Sequence, residues 1–125
     1  KNQNQFINIQ GEDSHLKFLY QNAFAHVITS RYEGFGITLL EAMESSCPVI
    51  SSNTTALREI GGNAPLYFNP RLTIDLFEKI QVLVKNNKKY KLVVKNGKKH
   101  CLKFTWKNCA METFNLYQHL INNNE

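Results

Sequence analysis

The sequence predicts an α/β fold, in which helices cover both faces of a parallel β-sheet. Short apolar runs bounded by Gly, Pro, Asn or Ser indicate strands, and a stretch of helical periodicity follows each run. Alternating strands and helices favour parallel pairing, since the connection between parallel strands is usually a helix. At 125 residues with 42% hydrophobic residues, the chain is long enough to form one such domain or part of one.

Four short strands are predicted. They are expected over Phe6–Ile9, closed by Gly11, and over Ala25–Thr29, Val49–Ser51 and Leu66–Phe68, the last ended by Asn69-Pro70. Ligands of parallel sheets bind at the carboxyl ends of the strands. The turn that follows Ala25–Thr29 is therefore the expected position of a binding site.

The first helices follow from the spacing of apolar residues. Asp13 or Ser14 can cap a helix whose apolar face contains Leu16, Leu19, Tyr20, Ala23 and Phe24. Good helix formers predict a second helix from Ile37 to about Glu44. We expect Asn53–Gly62 to be a polar loop with one helical turn over Leu57–Ile60.

The second half of the chain is predicted to be helical. An amphipathic helix is expected from Thr73, and a lysine-rich helix from Lys88 to Leu102, interrupted by Gly97. Thr105 is expected to cap a last helix, whose stripe from Trp106 to Ile121 packs either in the core or against another domain.

Charge is distributed unevenly along the chain. Nine lysines and no acidic residue lie between Lys85 and Lys107, whereas the rest of the chain is net negative. This segment is either a solvated helix face or a surface that an anionic membrane or a nucleic acid attracts. It has no arginine pairs and no interleaved aromatic residues, so nucleic-acid recognition is disfavoured.

The turn Glu33-Gly34-Phe35-Gly36 and the helix after it carry the clearest functional signal. Glycines permit a close approach of the backbone to a ligand, and the first amides of the helix have no helical partner. Together with the helix dipole they form an anion site that suits a diphosphate. Glu33 and Glu41, with seven residues between them, flank this site with carboxylates that suit the diol of a ribose or sugar ring. This arrangement predicts binding of a nucleotide sugar.

The run from Ser30 to Asn53, with Arg58 to Ala64 after it, resembles the donor-binding half of retaining glycosyltransferases of the GT-B architecture, family 4 (glycosyl transferases group 1). The resemblance lies in the Glu-x7-Glu signature, E-G-F-G…L-E-A-M…P-V-I. It extends more weakly to Phe68-Asn69-Pro70 and to Phe104–Trp106. It implies a Rossmann-like sheet, part of a GT-B donor domain.

The resemblance also implies roles for individual residues. Glu33 would be the catalytic residue and bind hydroxyls of the transferred sugar, and Glu41 would bind the ribose of the nucleotide. The sugar and diphosphate would meet the backbone of the residues between them, which are Gly34, Phe35, Gly36, Ile37 and Thr38. The donor would be a UDP- or GDP-sugar, the configuration would be retained, and neither a further cofactor nor a metal is expected.

Two departures from the family pattern matter. Ser46 stands where the family usually has glycine. In addition, the Arg and Lys that grip the diphosphate in the family, and the N-terminal acceptor domain, have no counterpart before Phe6. We therefore expect residues 1–125 to be a partial C-terminal donor domain that is inactive alone. The acceptor, whether glycan, lipid or protein, stays open.

One alternative of another class remains, a non-catalytic Rossmann-like interaction domain whose basic segment docks on a membrane or protein partner. Three cysteines without CxxC spacing indicate reduced thiols and argue against a zinc site. With no apolar run of membrane-spanning length, the expected location is the cytoplasm, including the cytosolic face of a membrane.

Overall fold

A computed structural model of the chain describes residues 7–9 and 13–123. Its sheet has three parallel strands in the order β1-β2-β3, and these are His26–Ile28, Val49–Ser52 and Leu66–Phe68. Val27 pairs with Ile50, and Ser51 pairs with Tyr67. Its helices are α1 Asp13–Asn22, α2 Ile37–Glu44, α3 Thr55–Gly61, α4 Thr73–Lys85, α5 Asn87–Cys101 and α6 Trp106–Asn122.

Both faces of the sheet carry a hydrophobic core. Val49 and Ile50 are neighbours on β2 and therefore point to opposite faces. The core on the Val49 side contains Leu39 and Met43 of α2, together with buried residues of β1 and α3. The core on the Ile50 side contains buried residues of β3, α4 and α5, namely Phe68, Leu83 and Val93. This confirms the predicted α/β class and the covering of both faces by helices.

The prediction of a first strand over Phe6–Ile9 is wrong for residues 7–9, the part of it that the structure describes. Residues 7–9 belong to no strand, and β1 pairs only with β2 among the described residues. Ile7 is 80% exposed and Ile9 is 55% exposed, so neither side chain is buried on the sheet. A short strand without a buried face has little to hold it at a sheet edge. Phe6 and Gly11 lie outside the described residues.

The region after β2 is more helical than predicted. The expected loop with one turn is the helix α3, because Leu57 and Ile60 are both buried at helical spacing. Gly97 does not interrupt α5. It is buried against α2, where a Cβ atom at this position would lie 3.0 Å from Cγ of Met43. The helix therefore uses the missing side chain to pack closely.

The last helix begins as predicted, but its stripe does not form part of the core. The amide of Asn108 donates to Oγ1 of Thr105 at 3.1 Å, which confirms the cap. No residue of α6 is buried, and Trp106 is 86% exposed. The prediction that this stripe packs in the core is therefore wrong for the described residues. Its packing against another domain stays a prediction.

Candidate functional site

Gly36 fixes the point at which the turn enters helix α2. Its φ is +88°, in the left-handed region that glycine adopts readily, and it is the N-terminal cap residue of α2. Gly36 is buried, and a Cβ atom built on it would lie 2.5 Å from Cδ2 of Leu57. Both the backbone angle and the contact with α3 thus require glycine here.

The first amides of α2 are available to a ligand. The amide of Leu39 donates to the carbonyl of Gly36 at 3.0 Å. The amides of Ile37 and Thr38 donate to no residue that the structure describes, and both residues are exposed. Unpaired amides at the positive end of the helix dipole favour an anion.

Glu33 lines a cleft of about 390 Å³ at the carboxyl ends of β1 and β2, and most of the residues that line it have polar side chains. The other lining residues come from the β1–α2 turn, from the β2–α3 loop and from α3, and they are Arg31, Tyr32, Asn53, Thr54, Thr55, Ala56 and Glu59. Arg31, Glu33 and Glu59 form no ion pair with any described residue. The cleft therefore offers charged groups that have no partner within this part of the chain.

Two hydrogen bonds hold the segments that line the cleft. The buried hydroxyl of Ser52 donates to the carbonyl of Ser30 at 2.5 Å, which joins the end of β2 to the turn. The amide of Asn53 donates to the carbonyl of Phe68 at 2.8 Å, which joins the next loop to β3. Oγ1 of Thr54 is buried and has no hydrogen-bond partner among the described residues.

Glu41 lies on α2, and the structure does not place it in the lining of the Glu33 cleft. It is partly buried, and its Oε2 accepts a hydrogen bond of 3.4 Å from the hydroxyl of Tyr20 on α1. Burial, followed by the charge of Glu41 and this bond, raises the pKa of Tyr20 to about 12. Of the seven predicted site residues, Glu33 alone belongs to the described cleft, and Glu41 belongs to the α1–α2 contact.

The remaining predicted residues surround the start of α2. A Cβ atom on Gly34 would have no atom within 4 Å, so this position faces open space. Phe35 is 48% exposed, and Ile37 and Thr38 are also exposed. Four of the five residues from Gly34 to Thr38 are thus exposed, on either side of the buried Gly36, so a ligand could reach their amides.

Several residues of the cleft were not predicted from the sequence. Arg31 precedes the turn, and Asn53, Thr54 and Thr55 follow β2. The signal that could have found them is their position after the carboxyl ends of two neighbouring parallel strands. Arg58 turns away and lies over the ring of Tyr67, 4.4 Å from its centroid, whereas Glu59 faces the cleft.

The histidines that the structure describes in the core have packing contacts. His26 on β1 is partly buried and lies edge-on to Tyr20 at 5.2 Å, and its Nε2 atom is buried without a partner among the described residues. Burial lowers the pKa of His26. The Nε2 atom of His100 lies 2.7 Å from the carbonyl oxygen of Ile60, at hydrogen-bond distance. The described residues hold no group of three His, Cys, Asp or Glu side chains that could bind a metal.

The end of α2 explains how Ser46 replaces the expected glycine. The amide of Ser46 donates to the carbonyl of Met43 at 3.1 Å, and that of Cys47 donates to the carbonyl of Ala42 at 2.9 Å. These two bonds form a Schellman motif, which needs a left-handed residue after the helix. Ser46 has φ +64° and is the one non-glycine residue with positive φ among the described residues.

Residues 1–100 match the profile of the family Glycosyl transferases group 1. The chain is 34% identical over 106 residues to O-antigen chain mannosyltransferase B of Escherichia coli, covering 85% of this chain and 28% of the relative. It is 33% identical over 108 residues to a probable sucrose-phosphate synthase of Thermosipho melanesiensis, covering 82% of this chain and 25% of that protein.

A solved structure has the same fold. Sucrose-phosphate synthase from Thermosynechococcus elongatus superposes with a TM-score of 0.79 at 27% identity, over 91% of this chain and 29% of that one. The chain therefore spans between a quarter and a third of the length of these relatives. No helix within residues 13–123 is long and apolar enough to cross a membrane.

Proposed function

This chain belongs to the group 1 glycosyl transferases, and we propose that its protein transfers a sugar, with retention of configuration, from a nucleotide-diphosphate sugar to an acceptor. Residues 1–125 would be the later part of a donor-binding domain of GT-B architecture in family 4. The main support is the turn at Gly36, which leaves the amides of Ile37 and Thr38 without a partner among the described residues, and which follows directly after Glu33, a carboxylate without an ion pair that lines the cleft.

The diphosphate of the donor would bind at the start of α2. As the bond between sugar and phosphate breaks, negative charge develops on the leaving diphosphate while the sugar acquires oxocarbenium character. Fixed amide dipoles stabilise such charge without having to reorganise. The amides of Ile37 and Thr38 are the groups of this chain that would do so, with Gly34 and Phe35 providing backbone close to the sugar.

The two carboxylates would have different tasks. Glu33 is in a cleft of a size that can hold a sugar ring, and it would accept hydrogen bonds from hydroxyls of the transferred sugar. Glu41 would accept hydrogen bonds from the ribose of a UDP- or GDP-sugar. Neither a further cofactor nor a metal has a role in this proposal.

The acceptor site would belong to a part of the protein other than these residues. Because the chain covers 28% of the mannosyltransferase and 29% of the superposed synthase, a separate acceptor-binding domain fits the length of its relatives. The acceptor would be a glycan, a lipid or a protein. The exposed stripe of α6, which has no buried residue, would be available to pack against such a domain.

A second part of the proposal concerns α5 and an anionic membrane. Its buried residues, Val93 and Gly97, lie on one side of the helix, and most of its lysines are exposed. These lysines form no ion pair with any described residue. The exposed lysines, here called the basic face, are Lys88, Lys91, Lys95, Lys98 and Lys99. They would hold the enzyme on the cytosolic leaflet, within reach of a lipid acceptor.

The basic face also supports the alternative, a non-catalytic domain that only docks on a membrane or partner. Titration of UDP- and GDP-sugars into the intact protein separates the two functions. The transferase predicts saturable binding that needs the diphosphate and is lost with the free sugar. Absence of saturable binding of any nucleotide sugar would leave the docking domain as the function.

A further inference from the structure

Among the described residues, helices α1 and α2 are joined by a hydrogen bond between Tyr20 and Glu41. The two residues are 21 positions apart, and the hydroxyl of Tyr20 donates to Oε2 of Glu41 at 3.4 Å. This is the one hydrogen bond that Glu41's side chain makes with any described residue. Its second oxygen, Oε1, is therefore left without a partner within the described part of the chain.

The ring of Tyr20 is held in place independently of its hydroxyl. It packs against the core that contains Leu39 and Met43, and it lies edge-on to the ring of His26 at 5.2 Å. Edge-to-face aromatic pairs and apolar packing hold a ring in one orientation. The hydroxyl at the end of this ring is therefore directed by the core and not by its bond to Glu41.

The chemistry of the pair assigns donor and acceptor. The pKa of Tyr20 is raised to about 12, chiefly by burial, so the phenol keeps its proton at neutral pH. A protonated phenol can donate to a carboxylate, and one hydrogen bond on Oε2 restricts the rotation of the whole group. A carboxylate that is held in this way loses less freedom when a ligand binds to its other oxygen.

We propose that Tyr20 is a positioning residue: it holds Oε2 of Glu41 so that Oε1 faces the ligand. The inference rests on the proposed function, in which Glu41 binds the ribose of the donor. Tyr20 itself does not touch the ligand in this arrangement. Its contribution is to binding of the nucleotide and not to the chemical step.

The test is a double-mutant cycle of Tyr20→Phe and Glu41→Gln in the intact protein, with UDP- and GDP-sugars as titrants. Tyr20→Phe keeps the ring and its contact with His26 and removes only the hydroxyl. We expect it to weaken donor affinity and raise KM about three- to tenfold, with kcat unchanged, as for one lost hydrogen bond. In the Glu41→Gln background the same change should have almost no further effect, since coupled residues are not additive.

The matched control is Tyr90→Phe, which removes the hydroxyl of another partly buried tyrosine and keeps its ring, elsewhere in the core. It should leave donor affinity unchanged, and melting temperatures show whether either variant alters folding. Unchanged affinity in Tyr20→Phe, or effects of the two changes that simply add, would overturn the positioning role while leaving the ribose contact intact. If Glu41→Gln itself binds donor as the wild type does, the ribose contact fails, and the inference fails with it.

Discussion

Gly36 and Leu57 approach each other so closely that no side chain fits between them: a Cβ atom on Gly36 would lie 2.5 Å from Cδ2 of Leu57. Leu57 is fully buried on α3, and Gly36 begins α2. The contact joins the end of the turn that carries Glu33 to α3, which follows the loop on the other side of the cleft. The two segments that line the candidate site are therefore connected through the packing of α2 on α3.

Alanine at Gly36 should lower the stability of the fold, whereas alanine at Gly34 should lower donor affinity. Gly36→Ala should destabilise the fold by at least about 1–2 kcal/mol, because alanine avoids positive φ and its Cβ would clash with Leu57. Gly34→Ala should leave the free energy of unfolding within about 0.5 kcal/mol, since its Cβ enters open space. It should instead weaken donor binding. Denaturant unfolding and donor titration of both variants check this, and equal stability losses would contradict it.

Neutral replacements of the two carboxylates should separate binding from transfer. Glu41→Gln should weaken donor binding, and Glu33→Gln should lower kcat more than affinity. Each loses a charge-assisted hydrogen bond worth about 1.5–3 kcal/mol, or roughly ten- to a hundredfold. Glu44→Gln, an exposed glutamate on the same helix, is the control and should change neither quantity. Wild-type kinetics in both test variants would remove the carboxylates from the mechanism.

Ser46→Gly should stabilise the protein. Serine at φ +64° has a conformational cost of about 1–2 kcal/mol, and part of the gain is lost to the greater freedom of glycine in the unfolded chain. The expected net gain is about 0.5–1 kcal/mol in denaturant unfolding. Ser45→Gly, one residue earlier, should destabilise the protein instead. The φ of Ser45 is −76°, which serine adopts without strain, so glycine there only adds freedom to the unfolded chain. Changes of the same sign in the free energy of unfolding of both variants would contradict the left-handed conformation of Ser46.

Charge removal from the basic face should weaken binding to anionic vesicles. The double variant Lys91→Gln, Lys95→Gln removes two exposed charges from α5, each worth about 1 kcal/mol at an anionic surface, so its partition coefficient should fall by about thirtyfold. Sedimentation with phosphatidylglycerol-containing and pure phosphatidylcholine vesicles, at low and high salt, measures this. Lys17→Gln, Arg71→Gln removes two exposed charges elsewhere and should bind nearly as the wild type does. No binding at low salt would leave the lysines as a solvated face.

His26 should make the fold sensitive to acid. Burial lowers its pKa below the ordinary 6.5, so the unfolded chain binds the proton more readily than the folded one. The contribution of neutral His26 to the free energy of unfolding is therefore fully present above about pH 6.5. It is lost as the pH falls from there through the lower pKa that His26 has in the folded protein. Replacing His26 by Phe keeps a ring beside Tyr20 and should flatten this decline. Denaturant unfolding between about pH 8 and pH 5 tests it. An unchanged decline in the variant would assign the acid sensitivity to other groups.

Local patterns in the sequence determined much of the fold. The apolar runs predicted β1, β2 and β3 to within one or two residues, and Thr105 was recognised as the cap of α6. The turn at Gly36 and the helix Ile37–Glu44 were also predicted correctly. These features depend on backbone propensity, capping and periodicity, which are properties of residues close together in the chain.

Features that depend on distant partners were missed. The run before α1 has the composition of a strand, but residues 7–9 have no buried face to hold them on the sheet. The stripe of α6 has the period of a core helix, but within the described residues no core covers it. Gly97 resembled a break in α5, whereas it allows α5 to lie against Met43.

The candidate site divides in the same way. Sequence alone predicted Glu33, Glu41 and the glycines between them as candidate site residues, because a turn and a helix N-terminus are local structures. Tertiary structure placed Glu33 opposite the loop of Asn53, and it placed Glu41 against Tyr20 of another helix. Spacing within one helix cannot show which groups from elsewhere meet its side chains, since hydrogen bonds and clefts form between segments that only packing brings together.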